Sequence, residues 1–145
     1  MPVNPYDVAR LLGGERVLGA RVRTLDQLRR AVLAGLPVAA LARVAEHVAA
    51  YPAAAAELKY GIVPKATLHR RRTRLSPEES ERLERLARVT VMAESVWEDR
   101  ALAHEFLTSP QPQLGGARPV ELARSDLGSR QVEQLLNGLE YALPA

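Results

Sequence analysis

A chain of 145 residues has room for one ordinary domain or two small ones. Its 47% apolar content excludes a disordered main state, and the lack of cysteine excludes disulfides and thiolate metal sites. The net charge of +3 hides an asymmetry: residues 1–74 hold 13 Lys and Arg against 5 Asp and Glu (+8), whereas residues 75–145 hold 7 against 12 (−5). A basic half joined to an acidic half predicts two different partners, nucleic acid for the first and a protein for the second.

With 4% aromatic residues and much Ala, Leu, Glu and Arg, the expected fold is all-α. No cleavable leader is recognisable, and no apolar run approaches the ~18 residues a membrane span needs. A soluble, cytoplasmic protein without a membrane partner is the expectation.

Residues 2–23 are the least readable. Tyr6 to Leu12 suit a short helix capped by Asn4 and stopped at Gly13-Gly14, and Val17 to Val22 suit an extended piece. Thr24, with Gln27 three residues on, forms a capping box for a helix on which Leu25, Leu28, Val32 and Leu33 keep helical spacing. Gly35 ends it, and Pro37 starts a helix running to about Ala50, with Val38, Leu41, Val44, Ala45 and Val48 apolar. Ala53 to Lys59 is a short helix, Gly61 a turn, and Pro64 to about Arg72 the next helix, the pattern of a helix-turn-helix with Leu68 facing inward.

Ser76-Pro77-Glu78-Glu79 opens the longest helix with a second capping box. Leu83, Leu86, Ala87, Thr90, Ala93 and Trp97 form one stripe, widened by Val89, Met92 and Val96, so this helix is expected to be central, with Trp97 in the core. Its charged first half reads as a wet, salt-paired face. A helix from Asp99 to Leu107 follows, with Leu102, Phe106 and Leu107 inward. Residues 108–119 make a loop whose Pro110, Pro112, Gly115, Gly116 and Pro119 specify its shape. Val120 to Arg124 and Gln131 to Tyr141 complete the helices, the last presenting Val132, Leu135, Leu136 and Leu139. Two domains result, 1–74 and 75–145, with Thr73 to Leu75 as the seam.

From Glu57 to Arg74, Lys59, Lys65, Arg70, Arg71, Arg72 and Arg74 meet one acid, Glu57. Because this charge falls on the second helix of the helix-turn-helix pattern, Lys65, Thr67, His69, Arg70, Arg71 and Arg72 are the candidate DNA contacts. Arg reads guanine bidentately and Thr touches a base edge or the thymine methyl. Three successive arginines cannot share one helix face, so at most two read bases and the others contact phosphate.

Leu75-Ser76-Pro77-Glu78-Glu79-Ser80-Glu81-Arg82-Leu83, Arg85 to Val89, Asp99-Arg100-Ala101, Phe106-Leu107, Leu114-Gly115-Gly116, Pro119, Glu121-Leu122, Val132-Glu133 and Leu139-Glu140-Tyr141 together resemble the toxin-binding domain of the Xre/MbcA/ParS-type antitoxins. Leu25 to Arg72 is similar, less specifically, to the family's helical N-terminal domain. The resemblance implies a type II antitoxin without a cofactor. It would mask the NAD cleft of a RES-domain toxin that degrades NAD or uses it for ADP-ribosylation, and would bind the operator DNA of its own operon, as a homodimer within a larger toxin–antitoxin assembly. By the same resemblance Leu114, Gly115, Gly116, Arg118, Asn137, Glu140, Tyr141 and Ala145 are the expected toxin contacts.

An enzyme reading has little to stand on. His47, His69 and His104 are scattered without metal-ligand spacing, and Gly13-Gly14 and Gly115-Gly116 lack the strand–loop–helix setting of a phosphate cradle. The alternative is a stand-alone dimeric transcriptional regulator whose C-terminal half serves dimerisation.

Overall fold

Side-chain caps open several of the helices, the longest among them. A computed structural model describes residues 3–71 and 73–142. Asn4 Oδ1 accepts the Tyr6 amide hydrogen at 2.9 Å and opens α1 (Pro5–Leu11). A second short helix, α2 (Gly14–Leu18), follows directly, so Val17 and Leu18 are helical rather than extended. The capping boxes stand as read: Thr24 with Gln27 starts α3 (Leu25–Ala34), and Ser76 with Glu79 starts the 21-residue α7 (Pro77–Trp97). Between them lie α4 (Val38–Val48), α5 (Pro52–Ile62) and α6 (Lys65–Arg70). Asp99 caps α8 (Arg100–Thr108); a 3-10 turn at Pro112–Leu114, α9 (Pro119–Leu122) and α10 (Asp126–Ala142) complete the chain.

The fold is all-α, and α7 is its axle. It packs against α1, α3, α4, α5, α8 and α10. Leu83, Leu86, Ala87, Val89, Thr90, Met92 and Ala93 are buried along it, and complete burial of one Leu or Val stabilises by about 1.5–3 kcal/mol. Thr90 is tolerated inside because its hydroxyl donates to the Leu86 carbonyl at 2.7 Å. The apolar core is continuous from Val8 and Leu12 through Val44 and Leu83 to Leu136.

The charged start of α7 is not simply a wet face. Arg82 Nε donates to the Ile62 carbonyl at the end of α5 (2.9 Å), and Arg85 donates to the carbonyls of Ala123 and Arg124 (3.3 and 3.0 Å). These guanidinium groups satisfy carbonyls left over at helix ends and so tie α7 to both halves of the chain. On α3 the burial falls on Leu28 and Val32, while Leu25 and Leu33 are exposed. On α8 it falls on Ala103, Phe106 and Leu107, and Leu102 points outward.

Residues 73–75 are stitched to the α3–α4 corner. Val38 N donates to Thr73 O (2.9 Å), Leu75 N to Leu36 O (2.8 Å), Leu36 N to Ser80 Oγ (2.7 Å) and Arg74 Nη1 to Gly35 O (2.8 Å). Gly35 holds φ of 90°, the left-handed side that side chains avoid, with the Leu75 carbonyl pressed against it.

The last helix begins five residues before Gln131. Ser125 Oγ accepts the Gly128 amide hydrogen at 3.0 Å, as an N-cap does, and Gly128 lies so close to the Leu122 carbonyl that a Cβ there would sit 2.0 Å from the oxygen.

Candidate functional site

The turn of the helix-turn-helix is Val63-Pro64, not Gly61. Gly61 is helical within α5, and its missing side chain makes room for Arg124, whose guanidinium lies on the glycine surface. Val63 is fully buried and anchors the corner, while Pro64 presets the entry of α6. The helix that follows is short. It exposes Lys65, His69 and Arg70, half-buries Thr67, and turns Leu68 against the core.

The basic side chains divide by what they touch. Lys65 Nζ lies over the Tyr60 ring at 5.9 Å, and Arg70 Nη2 reaches Thr67 Oγ1 at 3.5 Å, so both stay at the surface. Arg71 turns inward: its Nε donates to Glu79 Oε1 at 3.0 Å and its Nη2 approaches Glu79 Oε2 at 3.5 Å. Glu79 is buried, which by itself would raise its pKa. The Arg71 hydrogen bond and the Ser76 amide outweigh burial and hold the carboxyl below the usual glutamate range. Arg71 therefore fastens the chain leaving α6 to the start of α7. Arg72 lies outside the described residues.

One prediction follows from that division. Arg71→Ala should lower stability by about 1–3 kcal/mol, because a buried carboxylate loses its charged partner. Lys65→Ala should stay within about 0.5 kcal/mol of the parent. Urea unfolding of the two variants separates the cases.

The second group of residues falls in two places. Leu114 is half-buried at the end of the 3-10 turn, which packs on α10; Gly115 (φ 66°) and Gly116 (φ 82°) are exposed and carry the chain through left-handed backbone toward Arg118. Arg118 bridges the halves, donating to Glu57 Oε1 of α5 at 2.6 Å and to Glu121 Oε1 at 2.5 Å. Those two hydrogen bonds raise its pKa further. Asn137 and Glu140 line a groove with Val3, Asn4 and Asp7 on one side and Val91, Ser95 and Val96 of α7 on the other. Tyr141 is 87% exposed, an aromatic ring with no cover on the last turn of α10. Ala145 lies outside the described residues. Trp97 is half-buried beside Phe106, ring centroids 6.1 Å apart, in keeping with its assignment to the core.

One constellation escapes sequence reading. His47 of α4, Glu94 of α7 and His104 of α8 meet although 47 and 10 residues separate Glu94 from its partners. No local spacing signals such a cluster; only the packing of three helices creates it.

Comparison with known proteins settles the family. Residues 27–88 match the antitoxin Xre-like helix-turn-helix domain, and residues 92–142 match the antitoxin Xre/MbcA/ParS C-terminal toxin-binding domain. The chain belongs to the Xre/MbcA/ParS antitoxin family. An Antitoxin Xre of Pseudomonas putida is 36% identical over 78 residues, 52% of this chain and 49% of that protein. An Antitoxin Xre of Yersinia enterocolitica is 34% identical over 85 residues, 56% of this chain and 57% of that one. The chain thus spans about half the length of the curated relatives it matches. Within this Xre/MbcA/ParS-family chain both matches reach α7, the first ending and the second beginning in it. No described helix is long and apolar enough to cross a membrane.

Proposed function

We propose that this chain is the antitoxin of a type II toxin–antitoxin pair, with residues 1–74 binding operator DNA and residues 75–145 masking the NAD cleft of a RES-domain toxin. The observation that carries the reading is the order of two matched domains on one chain, the first with a cationic helix-turn-helix and the second with an acidic balance. In this reading Lys65, Thr67, His69 and Arg70 face DNA from α6. Arg71 holds α6 in place, and Arg72 continues the basic run. Arg side chains at a groove supply guanine recognition or phosphate neutralisation, and the latter makes binding salt-sensitive.

On the other side, Leu114, Gly115, Gly116, Asn137, Glu140, Tyr141 and the terminal residue Ala145 contact the toxin, with Arg118 keeping their loop in shape through Glu57 and Glu121. An exposed aromatic on the last turn of α10, next to acidic Glu140, suits a cationic nucleotide pocket. The chain acts by binding, as a homodimer inside a larger complex.

Co-expression with the product of the adjacent reading frame tests this. A partner that co-purifies at fixed ratio, and consumes NAD only when this chain is absent, is the expected result. If nothing co-purifies while the protein alone shifts its promoter fragment, the chain is a stand-alone regulator and the toxin-masking role is wrong.

A further inference from the structure

His47 Nε2 lies 2.7 Å from Glu94 Oε2, and His104 Nε2 lies 2.6 Å from the same oxygen. The two imidazole rings stand edge to face with centroids 5.0 Å apart, and their ligand atoms and the carboxylate all lie within 4.8 Å of one another. The three side chains are 24%, 28% and 16% exposed in the order His47, Glu94, His104, enough for an ion to enter and enough burial to keep the rings in place. A cleft lined by Asp7, Arg10, Leu11 and Arg43 opens beside His47 and Glu94. Two imidazole nitrogens and one carboxylate oxygen form a donor set that zinc accepts, leaving a fourth coordination position for water.

We propose that His47, Glu94 and His104 form a binding site for a zinc-class divalent cation that staples α4 to α7 and α8. Its ligands come from both matched segments, His47 from the helix-turn-helix part and Glu94 and His104 from the C-terminal part. Loading therefore fixes one against the other.

Arg100 sets the terms of entry. Its Nη2 lies 2.8 Å from His47 Nδ1, and a guanidinium can only donate, so Nδ1 accepts and the ring carries its proton on Nε2, facing Glu94. Ligation through Nε2 needs the other tautomer. The proton moves to Nδ1, the exposed Arg100 side chain turns to solvent, and the Nε2 lone pair goes to the metal. His104 Nε2, 2.6 Å from the same carboxylate oxygen, donates to it and must free its lone pair in the same way, after which the Glu94 oxygen turns from acceptor to ligand. Arg100 thus competes with the cation twice, by charge and by holding the ring in the wrong tautomer.

The full chain, free of any polyhistidine tag and stripped with chelator, is titrated with zinc chloride against a chromophoric zinc chelator, and its thermal unfolding is followed in parallel. Expected are one zinc per chain, a Tm that climbs with zinc concentration as binding to the folded state requires, and loss of both in His47→Ala and His104→Ala. His69→Ala, an exposed histidine elsewhere, keeps both. Arg100→Ala, a surface change that spares the fold, binds zinc several-fold more tightly. Absent saturable uptake by the parent chain, or uptake by His104→Ala equal to the parent's, overturns the site. Unchanged or weaker zinc binding by Arg100→Ala overturns the competition.

Discussion

Gly35→Ala should destabilise the chain by about 2–5 kcal/mol, which for a protein of this size lowers Tm by roughly 5–15 °C. Two costs add. The backbone holds φ of 90°, where a side chain is strained, and an added Cβ would lie 2.4 Å from the Leu75 carbonyl oxygen. Relief would require residues 73–75 to leave the α3–α4 corner, breaking the hydrogen bonds that Val38, Leu36 and Leu75 make there. Gly19→Ala is the matched control. Gly19 has φ of 74° but nothing within 4 Å of an added Cβ, so only the dihedral strain of about 1 kcal/mol remains. Equal losses in the two variants, measured by calorimetry, would show that the stitch between residue 35 and residue 75 contributes nothing.

The second large effect concerns DNA. Replacing Lys65 and Arg70 together with Ala should weaken promoter binding by roughly tenfold to a hundredfold at physiological salt. It should also flatten the dependence of log K on log salt by about one unit for each phosphate contact removed. Both side chains are exposed on α6, Arg70 reaching no farther than Thr67 and Lys65 lying over Tyr60. The pair is a cleaner probe than any variant that includes Arg71. Removing Arg71 strips the guanidinium from buried Glu79, so lost DNA binding would be confounded with lost structure.

The same contrast shows what could be read from the residues alone. Ser76 with Glu79 and Thr24 with Gln27 are local signals, three residues apart, and both predicted caps form. The central position of α7 was legible because apolar residues crowd all sides of it from Val89 to Ala93. Gly61 misleads because its cause is not local: the glycine accommodates Arg124, 63 residues away, rather than a turn. The start of α10 was hidden for a similar reason, since Gly128 and Ser129 read as loop until the Leu122 carbonyl and the Ser125 hydroxyl are placed beside them. Arg82 and Arg85 look like members of surface ion pairs in sequence, yet each caps carbonyls of another element. The basic run after Pro64 was visible as charge, but not its division, in which Arg71 belongs to Glu79 while Lys65 and Arg70 face outward. His47, Glu94 and His104 carry no spacing signal at all, because each comes from a different helix.

Both matched segments reach α7, so the DNA-binding and toxin-masking roles proposed for this chain would lie on separate surfaces of one shared core. The direct test is toxin neutralisation by the Lys65→Ala/Arg70→Ala chain, measured as NAD remaining when the variant is mixed with the purified partner. Neutralisation equal to the parent chain, alongside lost promoter binding, is the predicted result. Loss of both together would contradict the division into a DNA-binding and a toxin-masking surface.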